Sequence, residues 1–529
     1  MLIGIINIFP LDKKGFSHLR KEGSILVMNE FAYEFRKTKN NFHYFLPEEN
    51  LSNVKKIGSS FRVFSRKKLE SNIRKEDYDA FFIPGIFNKD VYSLRKKLNK
   101  DFPIHSFIHS QHDLSHLKFI EELSGYIRTN DRIVCSSSCG REVTYKLFSL
   151  VNKEMSLEVK KNNLRIISFG TDIKKFRVRN QISSKIKLSL PKDKNIILFI
   201  GRLSPFTKAD LFPVLRIIKH IFSKKKDWIF LICGQNKDFD YKTSLLRFSR
   251  QLGIENRVIV KTDVSEEEKP FVYNASDIFI SPSDNIQETF GLTILEAMSS
   301  GLPVLCSDWN GYKETVHKDS FRTPTFWYSG FEDKEEKSLD DYHNKMSYYS
   351  QLVCVDTYAM EKKLEVLMKN SSLRREIGSV NRKIVLEKYR WKNIIKLHQE
   401  MLRESISIKG KEYSYLLRKI EKYPYFKVFQ DYPSVDLARK KDVTIHSRQQ
   451  YGFDVKSYWQ EYYKGKEFLN LNSYLDIDII NEIYSYCKEK KHLKEVLAHF
   501  RKASSVDEMT TIANILWMSK HVLLTLKKQ

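Results

Sequence analysis

Short apolar runs alternate with amphipathic stretches along roughly the first 165 residues of the chain. Runs at 2–8, 43–46, 79–84, 104–109 and 132–136 are predicted strands, with helical spacing at 25–36 and 89–98 between them. Strands that are apolar almost throughout are buried on both faces, and helices between them imply a parallel sheet. A run at 164–169 completes this block, and the polar, basic stretch 171–187 reads as a linker. The pattern then restarts. Runs at 195–200, 228–233, 257–260, 277–281 and 303–306 are predicted strands of a second block, joined by helices such as 209–222 and 293–300. Helices fill 360–402, and the one at 391–402 closes the block. After Arg403 the alternation stops, and a Tyr- and Lys-rich stretch leads to helices between about 475 and 527. The expected organisation is α/β: two Rossmann-like, doubly wound domains facing a cleft, 1–175 and 176–405, then a mainly helical accessory domain, 406–529. In such sheets ligands bind at the carboxyl ends of the strands.

Composition changes this picture little, and charge changes it more. With 41% hydrophobic and 29% charged residues, the chain has the balance of a folded globular protein. The formal net charge of +26 favours anionic partners, whether phosphorylated substrates, anionic lipid headgroups or nucleic acid, and equally suits a Lys-rich surface that keeps a large protein dispersed. No run of about 20 apolar residues is present, and the apolar start, Met1–Pro10, lacks a basic flank and a cleavage site, so it reads as a first strand. Six scattered cysteines (135, 139, 233, 306, 354 and 487) have no zinc-ligand spacing and read as reduced thiols of a cytosolic protein.

The stretch Ser281-Pro-Ser-Asp-Asn-Ile-Gln-Glu288-Thr-Phe-Gly291-Leu-Thr-Ile-Leu-Glu296-Ala-Met-Ser-Ser-Gly301 carries the strongest chemistry. A strand ends at Ser281, a polar loop follows, and a helix starts near Leu292 and stops at Gly301, a residue suited to the left-handed position past a helix end. Gly291 permits close backbone approach to a ligand. The amides of Leu292 and Thr293 are first-turn donors at the positive end of the helix, a phosphate site that needs no side chain. Glu288 and Glu296 flank it. Singly, each reads as an ordinary surface carboxylate; together at this spacing they suit sugar hydroxyls beside a diphosphate.

This stretch resembles the E-x7-E motif of the family-four retaining glycosyltransferases, which have the GT-B fold. Phe199-Ile-Gly201-Arg202-Leu-Ser-Pro-Phe-Thr-Lys208 is similar to the family's element in which an Arg and a Lys hold the donor diphosphate. Gly170-Thr-Asp172-Ile-Lys-Lys-Phe176, Asp131-Arg-Ile-Val-Cys-Ser136 and Pro303-Val-Leu-Cys-Ser-Asp-Trp-Asn-Gly311-Tyr-Lys-Glu314 resemble other family segments, as do Leu373-Arg-Arg and the closing Trp391 helix. The likeness covers roughly residues 1–405. It implies an acceptor-side first domain and a nucleotide-sugar-binding second domain. It implies that Glu288 orients the donor sugar, Glu296 holds the ribose, Arg202, Lys208 and the Gly291–Thr293 backbone hold the diphosphate, and His109, at the end of a first-domain strand, meets the donor sugar. Two segments depart from the family: the loop from Leu11 to Gly23, whose glycines are separated, and the long, aromatic, charged stretch 320–351.

The expected function is retaining transfer of a sugar from a nucleotide-diphosphate sugar to a glycan or lipid-linked acceptor in cell-envelope polysaccharide synthesis. The expected setting is the cytoplasm, with peripheral contact at an anionic membrane. No metal or cofactor is expected; Asp476-Ile-Asp478 mimics a metal motif, but its acids suit a helix start. The alternatives are a nucleotide-sugar epimerase or phosphorylase of the same fold, and a non-catalytic carbohydrate- or nucleic-acid-binding protein. The tail, with its own apolar periodicity and its Lys clusters, vaguely resembles a winged-helix module. It is expected to bind a protein partner rather than nucleic acid, and to be dispensable for donor chemistry.

Overall fold

The computed structural model describes all residues except 7–22, 52–60, 84–87, 111–113, 237–239, 263, 317–320, 332–341, 415–423, 441, 450–457, 459–473 and 529. The described residues form two compact units, each assembled from two stretches of chain: Met1–Ile173 with Ile384–Tyr423, and Lys174–Lys383 with Pro424–Gln529.

The first unit is built on seven parallel strands: β1 (Leu2–Ile6), β2 (Asn41–Leu46), β3 (Phe61–Ser65), β4 (Ala80–Ile83), β5 (Ile104–Ile108), β6 (Arg132–Cys135) and β7 (Leu164–Ile166), in the order β3-β2-β1-β4-β5-β6-β7. Strand β3 was not expected. Its sequence Phe-Arg-Val-Phe-Ser lies at the sheet edge with Arg62 exposed, so it lacks the continuous apolar run that marks a central strand. Asp131, just ahead of β6, ties the sheet together: it is fully buried, takes both Arg95 guanidinium nitrogens at 2.6 and 2.9 Å, and accepts the Ile104 and Arg128 amides at 2.8 Å each. The helix Trp391–Ile406 returns to this unit. Trp391 Nε1 donates to Glu30 at 2.9 Å, its ring lies where a side chain on Gly170 would stand, His398 meets the Phe31 ring edge-on at 4.7 Å, and Ser405 pairs with the buried His105 at 2.8 Å.

The second unit repeats the architecture with β8 (Asn195–Ile200), β9 (Trp228–Cys233), β10 (Val258–Lys261), β11 (Ile278–Ser281), β12 (Val304–Ser307) and β13 (Arg322–Thr323), all parallel, in the order β10-β9-β8-β11-β12-β13. The winding reverses between β8 and β11, so the crevice at their carboxyl ends is where such a sheet binds ligands. The expected linker 171–187 holds a helix, Gln181–Lys187, begun by the Asn180 side chain accepting the Ser183 amide at 2.9 Å.

Residues 424–529 do not form a unit of their own, unlike the accessory domain expected from 406 onward. They pack into the second unit. One part adds the strand β16 (Val435–Asp436) beside β14 (Thr325–Trp327), which pairs on its other side with β15 (Cys354–Val355), in the order β15-β14-β16. The other forms an antiparallel sheet of β17 (Val443–Ser447), β18 (Lys491–His492) and β19 (Leu524–Lys528), ordered β18-β17-β19, with helices Ile477–Tyr486, Leu493–Ala503 and Glu508–Lys520. The helix Phe212–Lys224 explains the attachment: Phe212 through Ile218, Ile221 and Phe222 are all buried, more than one face's worth. Arg216, near the middle of that helix, donates to the His521 carbonyl at 2.5 Å and lies 3.9 Å over the Tyr458 ring. The last helix is buried from Thr511 through Lys520, so it offers no free face to a nucleic-acid groove. Asp476 caps the first of these helices, accepting the Asp478 and Ile479 amides at 2.7 and 3.2 Å, which accounts for the acids there.

All six cysteines are buried free thiols. Among the described residues no helix is long and apolar enough to cross a membrane. A chain ended after Ser405 is expected to lose the cooperative melting of the second unit and to aggregate, because it uncovers the outer face of the Phe212–Lys224 helix; circular dichroism melting and gel filtration against the full chain measure this, and an unchanged melt would show the segment to be peripheral.

Candidate active site

The carboxyl ends of β8 and β11 carry the expected residues. After β8 the chain turns through Gly201 and Arg202. A Cβ on Gly201 would lie 2.9 Å from the Lys208 side chain, and one on Gly234, after β9, would overlap the Gly201 carbonyl at 1.6 Å, so both strand ends require the smallest residue. Arg202 is exposed, with Nη2 3.5 Å from the Gln287 side chain. Lys208 is mostly buried and forms an ion pair with the equally buried Glu288.

The loop from Ser281 to Gly291 is held by its own polar groups. Asn285 Oδ1 accepts the Gln287 and Glu288 amides at 3.1 and 3.2 Å, while Asn285 Nδ2 and Ser283 Oγ donate to the Lys208 carbonyl at 2.7 and 3.2 Å. Trp309 Nε1 donates to the Asn285 carbonyl and Asn310 Nδ2 to the Glu288 carbonyl, each at 2.8 Å. Burial alone would raise the Glu288 carboxyl; the Lys208 ammonium, the Phe290 amide and the Tyr312 hydroxyl outweigh it, and the group sits below the ordinary carboxylate value. Burial, then Glu288, pushes Tyr312 well above the usual phenol range, so it stays a donor.

Gly291 is left-handed at φ +89° and caps the helix Leu292–Ser299. The Ile294 and Leu295 amides turn to the Gly291 carbonyl at 3.0 and 3.4 Å, whereas those of Leu292 and Thr293 are the first-turn donors that a helix leaves without internal acceptors. The Thr293 hydroxyl is buried and has no hydrogen-bond partner among the described residues. Glu296, within the same helix, meets Lys269 Nζ at 2.8 Å and the Tyr273 hydroxyl at 2.7 Å. Gly301 is left-handed at φ +81°, as expected past the helix end.

These elements bring together Arg202, Lys208, Glu288, Gly291, Leu292, Thr293 and Glu296 within the second unit. His109 is carried by the first unit. It follows β5, half-buried, its ring parallel to Phe107 and Phe169 at centroid distances of 6.4 and 5.6 Å. The loop from Leu11 to Gly23 lies outside the described residues apart from the backbone of Gly23, the first residue of the helix Gly23–Phe35. Sequence reading passed over Lys269, Tyr273 and Tyr312. The first two had a signal, since a Lys and a Tyr four apart share one face of the helix Lys269–Ala275. Gly291→Ala is expected to destabilise the unit by about 1–3 kcal/mol, because it forces a positive φ. Its new Cβ would also stand 2.4 Å from the Tyr312 ring. Chemical denaturation reads the loss, and a wild-type midpoint would mean the helix start can relax.

Residues 180–351 match the sequence profile of "Glycosyl transferases group 1". The chain is 26% identical over 168 residues to the D-inositol 3-phosphate glycosyltransferase of Salinispora tropica, 30% of this chain and 34% of that protein, so the match spans about a third of the relative's length. Its fold is similar to that of a sucrose-phosphate synthase from Thermosynechococcus elongatus (TM-score 0.54, 16% identity, 77% of this chain and 99% of that one). It is similar also to Anabaena HepE in complex with UDP (TM-score 0.55, 15% identity, 76% and 99%). The two parallel-sheet α/β units have the GT-B fold of these solved structures, and residues 180–351 are similar in sequence to the glycosyl transferases of group 1.

Proposed function

We propose that the protein is a retaining glycosyltransferase that moves a sugar from a nucleotide-diphosphate sugar to a glycan or lipid-linked acceptor of cell-envelope synthesis, in the cytoplasm. The observation that carries this reading is the buried Lys208–Glu288 pair beside the left-handed Gly291 and the open first turn of its helix. Helix amides, Lys208 and Arg202 supply positive charge for a leaving diphosphate. Glu288, ionised and fixed by Lys208 and the Phe290 amide, supplies an acceptor for a sugar hydroxyl, and Glu296 with its Tyr273 and Lys269 partners supplies one for a ribose. In the transfer itself the bond from the anomeric carbon to the diphosphate oxygen breaks and a bond to the acceptor oxygen forms on the same face. The acceptor's proton passes to the departing phosphate, while Arg202, Lys208 and the helix amides take the part that a metal would play in stabilising the diphosphate charge. The net charge of +26 suits an anionic acceptor or an anionic membrane beside it.

Incubation with a panel of UDP-, GDP- and ADP-sugars tests the reading: one donor should release nucleoside diphosphate, in the presence of EDTA as well as without it. Sugar interconversion without release would point to an epimerase, and activity abolished by EDTA and restored by magnesium would overturn the metal-free mechanism. Glu288→Gln should lower turnover on the order of 100-fold or more, the scale of losing a preorganised electrostatic contact. Arg202→Ala should weaken diphosphate binding by about 1.5–3 kcal/mol, the worth of a charge-assisted hydrogen bond. Removing the ammonium in Lys208→Met takes away the largest group opposing burial and leaves only the Phe290 amide and the Tyr312 hydroxyl, so the Glu288 carboxyl should rise and the acid limb of the turnover profile should move to higher pH. An unmoved limb in a folded variant would mean that Glu288 ionisation does not govern turnover.

A further inference from the structure

The loop that carries Glu288 is gripped from outside the residues that match the group 1 profile. Four residues ahead of Glu288, the Asp284 carboxylate is 1% exposed and pairs at 2.7 Å with Lys520 Nζ, itself 2% exposed, in the last helix of the chain. The same ammonium donates to the Ser350 carbonyl at 3.0 Å, and Asp284 also accepts the Asp210 amide at 3.3 Å. Asp284 stands between Ser283 and Asn285, the two residues that fasten the loop to the Lys208 carbonyl. A second hold comes from residues 431–433. The Tyr432 carbonyl accepts the Asn310 amide at 2.9 Å, and the Asp431 and Pro433 carbonyls take Lys313 Nζ at 2.9 and 2.6 Å. Those contacts fix Trp309 and Asn310, whose side chains bond the Asn285 and Glu288 carbonyls.

A surface ornament has no use for a fully buried ion pair; desolvating both charges is costly and is repaid only by geometry. We propose that Lys520 is a positioning residue for the donor-sugar loop: through Asp284 it sets the place of Glu288, and the C-terminal segment is thereby part of the donor site. This rests on the reading of Glu288 as the group that holds the donor sugar. The diphosphate contacts belong to Arg202, Lys208 and the Leu292–Ser299 helix, so loosening the loop should impair sugar turnover more than diphosphate binding.

The test uses the full chain with Lys520→Met and, because that variant leaves Asp284 buried without its cation, the paired D284N/K520M variant, in which both charges are gone. Backbone hydrogen exchange is followed in residues 283–291 and, as an internal reference, in the helix Thr357–Lys369. Exchange in the loop should quicken at least tenfold while the reference helix keeps its rate; kcat with the accepted nucleotide sugar should fall on the order of 10- to 100-fold, the cost of misplacing a group by about 1 Å. Affinity for the matching nucleoside diphosphate, by calorimetry, should stay within about threefold, well under the tenfold that 1.4 kcal/mol represents. Should Lys520→Met fail to fold, the paired variant decides by the same measurements. Unchanged loop exchange and kcat in a folded variant overturn the proposal, as does exchange that quickens everywhere with diphosphate affinity falling in step with kcat. If the unaltered protein turns over no nucleotide sugar, the functional reading fails, and the loop exchange still decides whether Lys520 positions Glu288.

Discussion

A carboxylate taken out of water needs a matching cation, and the second unit is arranged around that requirement. Glu288 has Lys208 and Glu296 has Lys269, so each acid beside the open helix turn brings its own positive charge. The pairing permits acids to stand where a diphosphate is expected to bind. It also shapes the surroundings: Gly201 is small because Lys208 must pass it, and Gly291 is left-handed so that the chain can turn from the Glu288 loop into the helix above Tyr312. Asp284 is the harder case. Burial raises its carboxyl to about 6 although Lys520 pulls it down, with Asp210 adding to the rise.

Much of this is legible in the sequence alone. The central strands announced themselves as unbroken apolar runs, and the loop from Ser281 to Gly301 could be read almost residue by residue, because its glycines and its helix start obey local rules. What escaped reading was non-local. Strand β3 has an exposed Arg in its middle and is held by its neighbour more than by its own pattern. Strand β13 is two residues long. Lys269 and Tyr273 acquire meaning only when the helix bearing them is laid against Glu296. The apolar residues of the tail repeat at helical spacing and so suggest a separate body, yet the helix Phe212–Lys224 carries the contrary sign: Phe-Pro-Val-Leu-Arg-Ile-Ile is too apolar for a surface helix. Its outer face required a cover: the helix Thr357–Lys369 packs on it, and the tail's His521 and Tyr458 meet it at Arg216.

That cover alters how the aromatic residues of the tail are understood. Trp309, Trp327, Phe426 and Tyr432 form a continuous cluster, with Trp309 edge-on to Tyr432 at 5.6 Å, Trp309 and Trp327 at 6.1 Å, and Phe426 tilted against Trp327 at 5.1 Å. The described part of the long, charged and aromatic stretch 320–351 thus joins residues 424–436, through the pairing of Phe326 and Trp327 with Val435 and Asp436.

The threading of the chain has a consequence for its birth. A protein emerges from the ribosome amino end first, and domains tend to close as they emerge. Here the first unit lacks the helix Trp391–Ile406 until the whole β8–β13 sheet has been made, and the second unit lacks Lys520 until the chain has run on well past that helix. Neither body can be completed in the order in which it is written. Both wait, half-built, with the faces meant for Trp391 and for Trp517 open to solvent, so the folding yield should depend on the pace of translation between the helix Trp391–Ile406 and Lys520.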